Sequence, residues 1–165
     1  MNIPRTIETA IAEALRGFGI GDVTLIRCWH GLTGDYKWAS ETDRTMPCID
    51  VRCGPPKTSE ENRVTQSVTA EIVICTDAHD DMDHAQMCGY EEAVQGALDT
   101  LYLQFYNGQG GDLLNAFQTI ITTDCPVIPA IADLVQGEPV TPYNDDGISK
   151  IGLSLIVHFA RTDFL

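Results

Sequence analysis

The densest group of side chains able to do chemistry lies at residues 79–84, which read His-Asp-Asp-Met-Asp-His. Imidazole and carboxylate groups bind divalent ions, so the two histidines with Asp81 and Asp83 form a candidate metal site. A calcium loop is excluded, because its glycine is absent and Cys88 stands where its last glutamate should be. The same acids suit a helix start, where they cap free N–H groups and face the positive end of the dipole. We therefore expect a capped helix start here and no metal.

The remaining reactive side chains do not form a recognisable catalytic signature. The sequence has no G-x-S-x-G elbow and no Cys/His motif typical of nucleophilic enzymes. Glu91 and Glu92 are neighbours on a predicted helix and point in different directions, so they do not make an acid–base pair. The glycine-rich run at 108–111 is followed by Asp112 and by no lysine, which disfavours an anion site. We expect no enzymatic activity and no cofactor.

Two aromatic residues are the best candidates for contact with another protein. Tyr36 and Trp38 lie in a long polar segment, residues 30–46, that is too polar for a core and too long for a hairpin loop. Exposed aromatic side chains often anchor interfaces, although these two could equally fold back onto the domain. His158 lies on the minor face of the last predicted strand, where a packed or interfacial role fits better than that of a general base.

Periodic spacing of apolar residues predicts the elements that position these side chains. A connection at 57–62 and a proline-rich connection at 124–144 separate some of them. The predicted helices cover residues 7–18, 85–105 and 112–117, and the predicted strands cover residues 23–28, 47–53, 64–76, 118–123 and 148–160.

This order, α-β-β-β-α-α-β-β, predicts one α+β domain over residues 1–165. Because the strands cluster in runs, we expect hairpin connections and a mainly antiparallel sheet. The N-terminal helix and the long amphipathic helix are expected to pack on one face of that sheet.

The charge of the chain is strongly negative and unevenly distributed. The 165 residues include 24 acids and 10 bases, which gives a formal net charge of −14. Residues 64–149 contain 14 acids and neither lysine nor arginine. Such a surface repels phosphate backbones, which excludes sequence-reading or phosphate-gripping DNA binding. An acidic surface that keeps nearby DNA from adhering remains compatible with this charge.

The six cysteines indicate a reducing compartment. They show no C-x-x-C spacing, and several fall within predicted strands and helices, so we expect buried free thiols and no disulfide framework. The sequence also predicts no secretory signal and no transmembrane helix.

The order of these elements resembles a known family. An N-terminal helix leads to a strand, the polar loop at 30–46 and a second strand. A long strand then ends in an acidic turn (64–83), the helix at 85–105 follows, and an alternating strand at 148–160 comes last. In element order, size and pattern the chain resembles the tail terminator proteins (tail-completion or minor tail proteins) of long-tailed bacteriophages. The resemblance covers nearly the full length.

The resemblance implies a structural protein of the virion, in the tail or neck, that is made in the host cytoplasm. Six copies would form a ring on the last ring of the tail tube, stop tube polymerisation and join the tail to the head-completion or connector proteins. The implied partners are therefore further copies of the chain, the tail tube protein and the head-completion or connector protein. DNA would pass through the lumen without specific binding, and no membrane is involved.

The charge agrees with this expectation, because six copies would carry about −84 formal charges, part of which could line a DNA channel. The candidate lumen acids are Asp80, Asp81 and Asp83. We expect the loop at 30–46, with Tyr36 and Trp38, to dock onto the tube or a neighbouring subunit, and His158 to lie in an interface.

Three alternatives remain open. A head-completion or stopper protein of the neck would keep the ring, but such proteins are usually small β-barrels. A small metal-binding cytosolic enzyme would use His79, Asp81, Asp83 and His84. A monomeric accessory protein could use the acidic surface to mimic nucleic acid.

Overall fold

The computed structural model describes residues 3–28, 47–59, 65–77, 81–106, 131–145 and 147–160. These residues form two helices and seven strands. In chain order they are α1 (Ile3–Phe18), β1 (Leu25–Cys28), β2 (Cys48–Cys53), β3 (Lys57–Thr58), β4 (Thr65–Asp77), α2 (Asp81–Tyr106), β5 (Ile131–Gln136), β6 (Val140–Asp145) and β7 (Ile148–Ala160).

The strands form one sheet in the order β1-β2-β4-β7-β5, with β3 beside β4 and β6 beside β7. β1 and β2 are parallel, and the other pairings among the described strands are antiparallel. The expected α+β class with a mainly antiparallel sheet is confirmed. The expectation that hairpins join the strands is wrong for β1 and β2, because parallel neighbours need a long connection instead of a tight turn.

α1 forms because Ile7, Ile11 and Leu15 recur at four-residue spacing and bury one side of the helix against β1 and β2. Gly19 and Gly21 follow with φ of 67° and 53°, a left-handed conformation that only glycine adopts without strain. The chain therefore turns sharply after the helix and enters β1.

α2 packs on the same face of the sheet, against β4 and β7. Met87, Tyr90, Val94 and Leu98 form its buried side at three- and four-residue spacing. The expectation of an amphipathic helix is only partly met, because two apolar residues of the predicted helix, Ala85 and Ala93, are exposed.

The core lies between this helical layer and one face of the sheet. Strict alternation in the two 13-residue strands β4 and β7 supplies most of the strand residues in this core, as the sequence predicts. The core side chains of these two strands are Val68, Ala70, Ile72, Ile74, Ile151, Leu153, Leu155, Val157 and Phe159.

Two connections expected from the sequence are strands in part. Residues 57–62 were expected to be a connection, but Lys57 and Thr58 form the exposed strand β3 and pair with Ser67 and Gln66. Residues 124–144 were expected to be a connection, but β5 and β6 lie there and pair with β7. Both differences arise at sheet edges, where exposed sequence can still pair on one side.

Several expectations lie outside the described residues. They are the loop at 30–46, the short helix at 112–117 and the strand at 118–123. In the described part of the chain, neither helix combines the length and the apolar character that crossing a bilayer requires.

Candidate functional site

The face of the sheet that points away from the helices carries an ordered set of polar side chains, and we call it the polar face. Alternate residues of each strand point to this side, so the strand register sets them in rows. The first row crosses β1, β2, β4, β7 and β6 and consists of Leu25, Cys48, Cys75, Lys150 and Tyr143. The second row crosses β1, β2, β4 and β7 and consists of Arg27, Asp50, Val73 and Gly152. The third row crosses β2, β4 and β7 and consists of Arg52, Glu71 and Ser154.

Arg27 and Asp50 form a buried ion pair in the second row. Nε of Arg27 lies 2.9 Å from Oδ1 of Asp50, and Nη2 lies 3.3 Å from Oδ2. The Asp50 side chain is 2% exposed and that of Arg27 is 16% exposed. A bidentate contact of this kind fixes both side chains and keeps the carboxylate paired in a site with little water.

Cys48 and Cys75 are directly opposite each other on β2 and β4, and both are buried. Their sulfur atoms and a carboxylate oxygen of Asp50 all lie within 4.8 Å of one another. The pKa of Cys75 is raised well above its ordinary value, first by its contact with the Cys48 thiol and then by burial, while the Lys150 ammonium acts in the opposite direction. Neither cysteine forms a disulfide in this structure.

Lys150 is buried next to this thiol pair. It faces Cys75 across the β4–β7 pairing and Tyr143 across the β6–β7 pairing. Its Nζ lies 5.5 Å from the centre of the Tyr143 ring, a distance suited to a cation–π contact. The row thus ends in an aromatic side chain that is 37% exposed on the edge of the sheet.

The third row carries a second ion pair, between Arg52 and Glu71. It lies in an open cleft of about 430 Å³ at the end of β2, which Lys57 and Thr69 also line. A second cleft, of about 260 Å³, lies between α2 and β5. Cys53 also lines the first cleft, and Asp99 and Ser154 line the second.

The outer side of α2 has a different character. Its exposed residues are small or acidic apart from Gln86, and the helix contains neither lysine nor arginine over its 26 residues. A Cβ atom built on Gly89 or Gly96 would meet no atom within 4 Å, so the helix backbone is open to close approach there. We call this surface the acidic side of α2; its exposed members are Ala85, Gln86, Gly89, Glu92, Ala93, Gly96 and Asp99.

The residues expected to act in assembly are only partly placed by the structure. His158 lies half-buried on β7, on the polar face, between Ser67 of β4 and Asp133 of β5. It is therefore inside the sheet and not at an edge. Asp81 and Asp83 lie in the first turn of α2. Their side chains are not described, so their capping role stays a prediction.

The other expected residues lie outside the described part of the chain. They are Tyr36, Trp38, His79 and Asp80. The side chain of His84 is also not described, so the metal-site alternative at residues 79–84 stays a prediction.

Sequence reasoning missed the cluster on the polar face. Cys48, Asp50 and Cys75 are brought together by strand register, and no local motif marks them. The one signal in the sequence is that Asp50 alternates with buried Ile49 and Val51, which places it on the opposite face of a strand but does not say that this face is buried. No family model matches the chain, and no curated protein matches it.

Proposed function

We propose that this chain is a ring-forming structural protein of the bacteriophage tail, of the tail terminator class. Six copies cap the tail tube, stop its polymerisation and present a surface to the head-completion or connector protein. DNA passes through the lumen of the ring without specific binding. The protein is made in the host cytoplasm and is incorporated into the virion.

The observation that supports this proposal best is the acidic side of α2. A helix of 26 residues is roughly 39 Å long, which suits a lining element of a channel. Glu92 and Asp99 are exposed on it, and the helix has no lysine or arginine to compensate them. Because like charges repel, an acidic lining lets a phosphate backbone slide without adhering. We therefore assign lumen acids to this helix, with Asp81 and Asp83 at its start.

The shape of the sheet supports a ring formed by side-by-side contacts. Among the described strands, β1 lies at one edge and the β5–β6 strands lie at the other. A closed ring needs two different surfaces on each subunit that fit each other, and the two edges of an open sheet are such a pair. Exposed Tyr143 on β6 provides an aromatic anchor for this contact.

The same open sheet favours the terminator over the stopper alternative. Stopper proteins are usually small β-barrels, whereas this chain has an open sheet with both described helices on one face. The sheet therefore counts against the stopper interpretation and agrees with the terminator interpretation.

The first experiment is the mass of the purified protein by light scattering, together with negative-stain images. We expect a species near six times 18.1 kDa with a central hole. If only a monomer is found, assembled tail tubes are added and examined for capped ends. A monomer that also fails to cap tubes would contradict the proposal.

The lumen assignment is tested by matched charge reversals. Glu92→Lys should leave the ring intact and make it retain DNA at low salt, because it places six new cations in the channel. Glu13→Lys, at an exposed position of α1, is the control and should not retain DNA to the same degree. Equal retention by the two variants would show that α2 does not line the channel.

The docking role of the loop at 30–46 is tested by Tyr36→Ala and Trp38→Ala. Point substitutions are preferable to deletion, since β1 and β2 are parallel and a shortened connection would disturb their pairing. We expect intact rings that cap tubes poorly. Normal capping by a variant that carries both substitutions would show that these two side chains of the loop do not contribute to docking.

The enzyme alternative is tested by metal analysis of His79→Ala and His84→Ala variants beside the wild type. Loss of a stoichiometric metal in these two variants would favour a metal-binding enzyme over the ring.

A further inference from the structure

We propose that Cys48, Asp50 and Cys75 form a binding site for a thiophilic divalent ion of the zinc class, built across strands β2 and β4. The two thiols bind as thiolates, the Asp50 carboxylate is the third ligand, and water completes the tetrahedron. This inference is independent of the proposed function, since a ring can form with or without such a site.

The spacing of the three donor atoms fits the ion. With zinc–sulfur bonds of about 2.3 Å and a zinc–oxygen bond of about 2.0 Å, tetrahedral donors are roughly 3.5–3.8 Å apart. Sγ of Cys75 lies 3.8 Å from Oδ2 of Asp50. All three donors lie within 4.8 Å of one another, so only a small inward movement is required.

The charge of the site also permits binding in a buried position. Burying an uncompensated charge is strongly unfavourable. Here each bound ion displaces one proton from Cys48 and one from Cys75, so a divalent cation replaces two protons and the formal charge of the site is unchanged. The positive groups already present, Arg27 and Lys150, therefore face the same formal charge before and after binding.

Neighbouring side chains hold the donors in place. Arg27 contacts both carboxylate oxygens of Asp50 and fixes the orientation of that ligand. Lys150 is the register partner of Cys75 on β7 and is buried beside it. Outer-shell partners of this kind position ligands in metal sites generally. The site is built on two strands inside the sheet, which are rigid elements.

Binding is tested on the full-length protein, reduced and treated with a chelator, by calorimetric titration with Zn²⁺ in buffers of different ionisation enthalpy. We expect one ion per chain and two protons released per ion. Cd²⁺ should bind the same site and give the ultraviolet charge-transfer absorption of a cadmium–thiolate bond. Absence of stoichiometric binding by the reduced wild type would overturn the proposal.

The ligands are identified by variants and by protection. Cys48→Ser and Cys75→Ser should each weaken zinc binding by at least about 100-fold, while Cys88→Ser, on α2 outside the cluster, should bind as the wild type does. If a serine variant fails to fold, alkylation of the partly denatured wild type replaces it, and zinc should protect Cys48 and Cys75 alone.

Two further outcomes would contradict the site. Protection of other cysteines, with Cys48 and Cys75 alkylated as fast as without zinc, would place the ion elsewhere. The register of the two cysteines also suits a cross-strand disulfide. If peptide mapping of protein isolated without reductant finds that disulfide, the two cysteines form a covalent link and the metal-site proposal is wrong.

Discussion

Arg27 and Asp50 are register partners on the two parallel strands of the sheet, and the guanidinium of one contacts both carboxylate oxygens of the other. The pair ties the edge strand β1 to β2 on the face that no described helix covers. Because the Asp50 carboxylate is almost fully buried, the contribution of the pair is best measured by removing one partner.

Arg27→Met should lower the free energy of unfolding by about 2–4 kcal/mol, because it leaves a buried carboxylate without its guanidinium. Urea denaturation in the presence of a chelator measures this effect without interference from metal. Glu13→Gln, which removes an exposed pair with Arg16 on α1, is the control and should change stability by less than about 0.5 kcal/mol. Equal effects of the two substitutions would show that burial of the Arg27–Asp50 pair is unimportant.

Gly152→Ala should destabilise the sheet by about 1–3 kcal/mol. An added Cβ would lie 2.9 Å from the carbonyl oxygen of Ile72 and 3.0 Å from Cβ of Val140, so the strands β4 and β6 would have to move apart. Gly96→Ala is the matched control on α2. It meets no atom within 4 Å and should stabilise the helix by roughly 0.5–1 kcal/mol. Thermal unfolding midpoints that move in the same direction would contradict this contrast.

Glu8→Ala should cost about 1–3 kcal/mol of stability, because it removes the acceptor of a buried backbone N–H group. Glu8 is fully buried on α1, and its Oε1 accepts a hydrogen bond of 2.7 Å from the amide of Cys53 at the end of β2. Glu8→Gln keeps a carbonyl acceptor and should lose less. Chemical denaturation of both variants tests the assignment, which fails if the glutamine variant is the less stable of the two.

Tyr90 should make stability fall in alkaline solution. Burial, and then a hydrogen bond donated to Asp22, raise the pKa of Tyr90, so its neutral form is favoured in the folded state. A folded pKa above the unfolded value gives stability that is complete below about pH 10, the unfolded value, and is lost as pH rises through the folded pKa.

Tyr90→Phe should therefore lower stability by about 1 kcal/mol at neutral pH and flatten the alkaline decline. Asp22→Asn keeps an acceptor for the Tyr90 hydroxyl and removes the negative charge, so the folded pKa of Tyr90 should fall. The alkaline loss of stability should then end at a lower pH, and its size should change by less than in Tyr90→Phe. Urea midpoints measured from pH 7 to above pH 10 distinguish these outcomes. An unchanged alkaline decline in Tyr90→Phe would assign that decline to other groups.

Local sequence predicted the elements with strong periodicity. β4 and β7 alternate apolar and other residues over 13 positions each, and α1 repeats apolar residues every four positions. These periodic patterns identify a strand or a helix without knowledge of the element it packs against. The edge strands β5 and β6 were missed because Gly137 and Pro139, which lie between them, and Pro142, which lies within β6, are typical of a loop. An edge strand nevertheless tolerates Pro142.

Long-range pairing is what local sequence cannot supply. No local sequence pattern near Leu25 or Cys48 indicates that β1 and β2 are parallel. Likewise, Asp50 and Lys150 look like solvent-facing residues of half-buried strands, and only the completed sheet shows both to be buried. The thiol cluster follows from the same cause, since Cys48 and Cys75 meet through register across two strands.

The central position of β7 has a consequence for folding during synthesis. β7 lies between β4 and β5, yet it is the last described strand to be translated. Until residues 148–160 leave the ribosome, one long edge of β4 has no partner from β7, and an open strand edge is a template for pairing with another chain. Neighbouring nascent chains on one messenger RNA present the same edge at high local concentration. The interval between translation of β4 and of β7 is thus the period in which misassociation competes with folding.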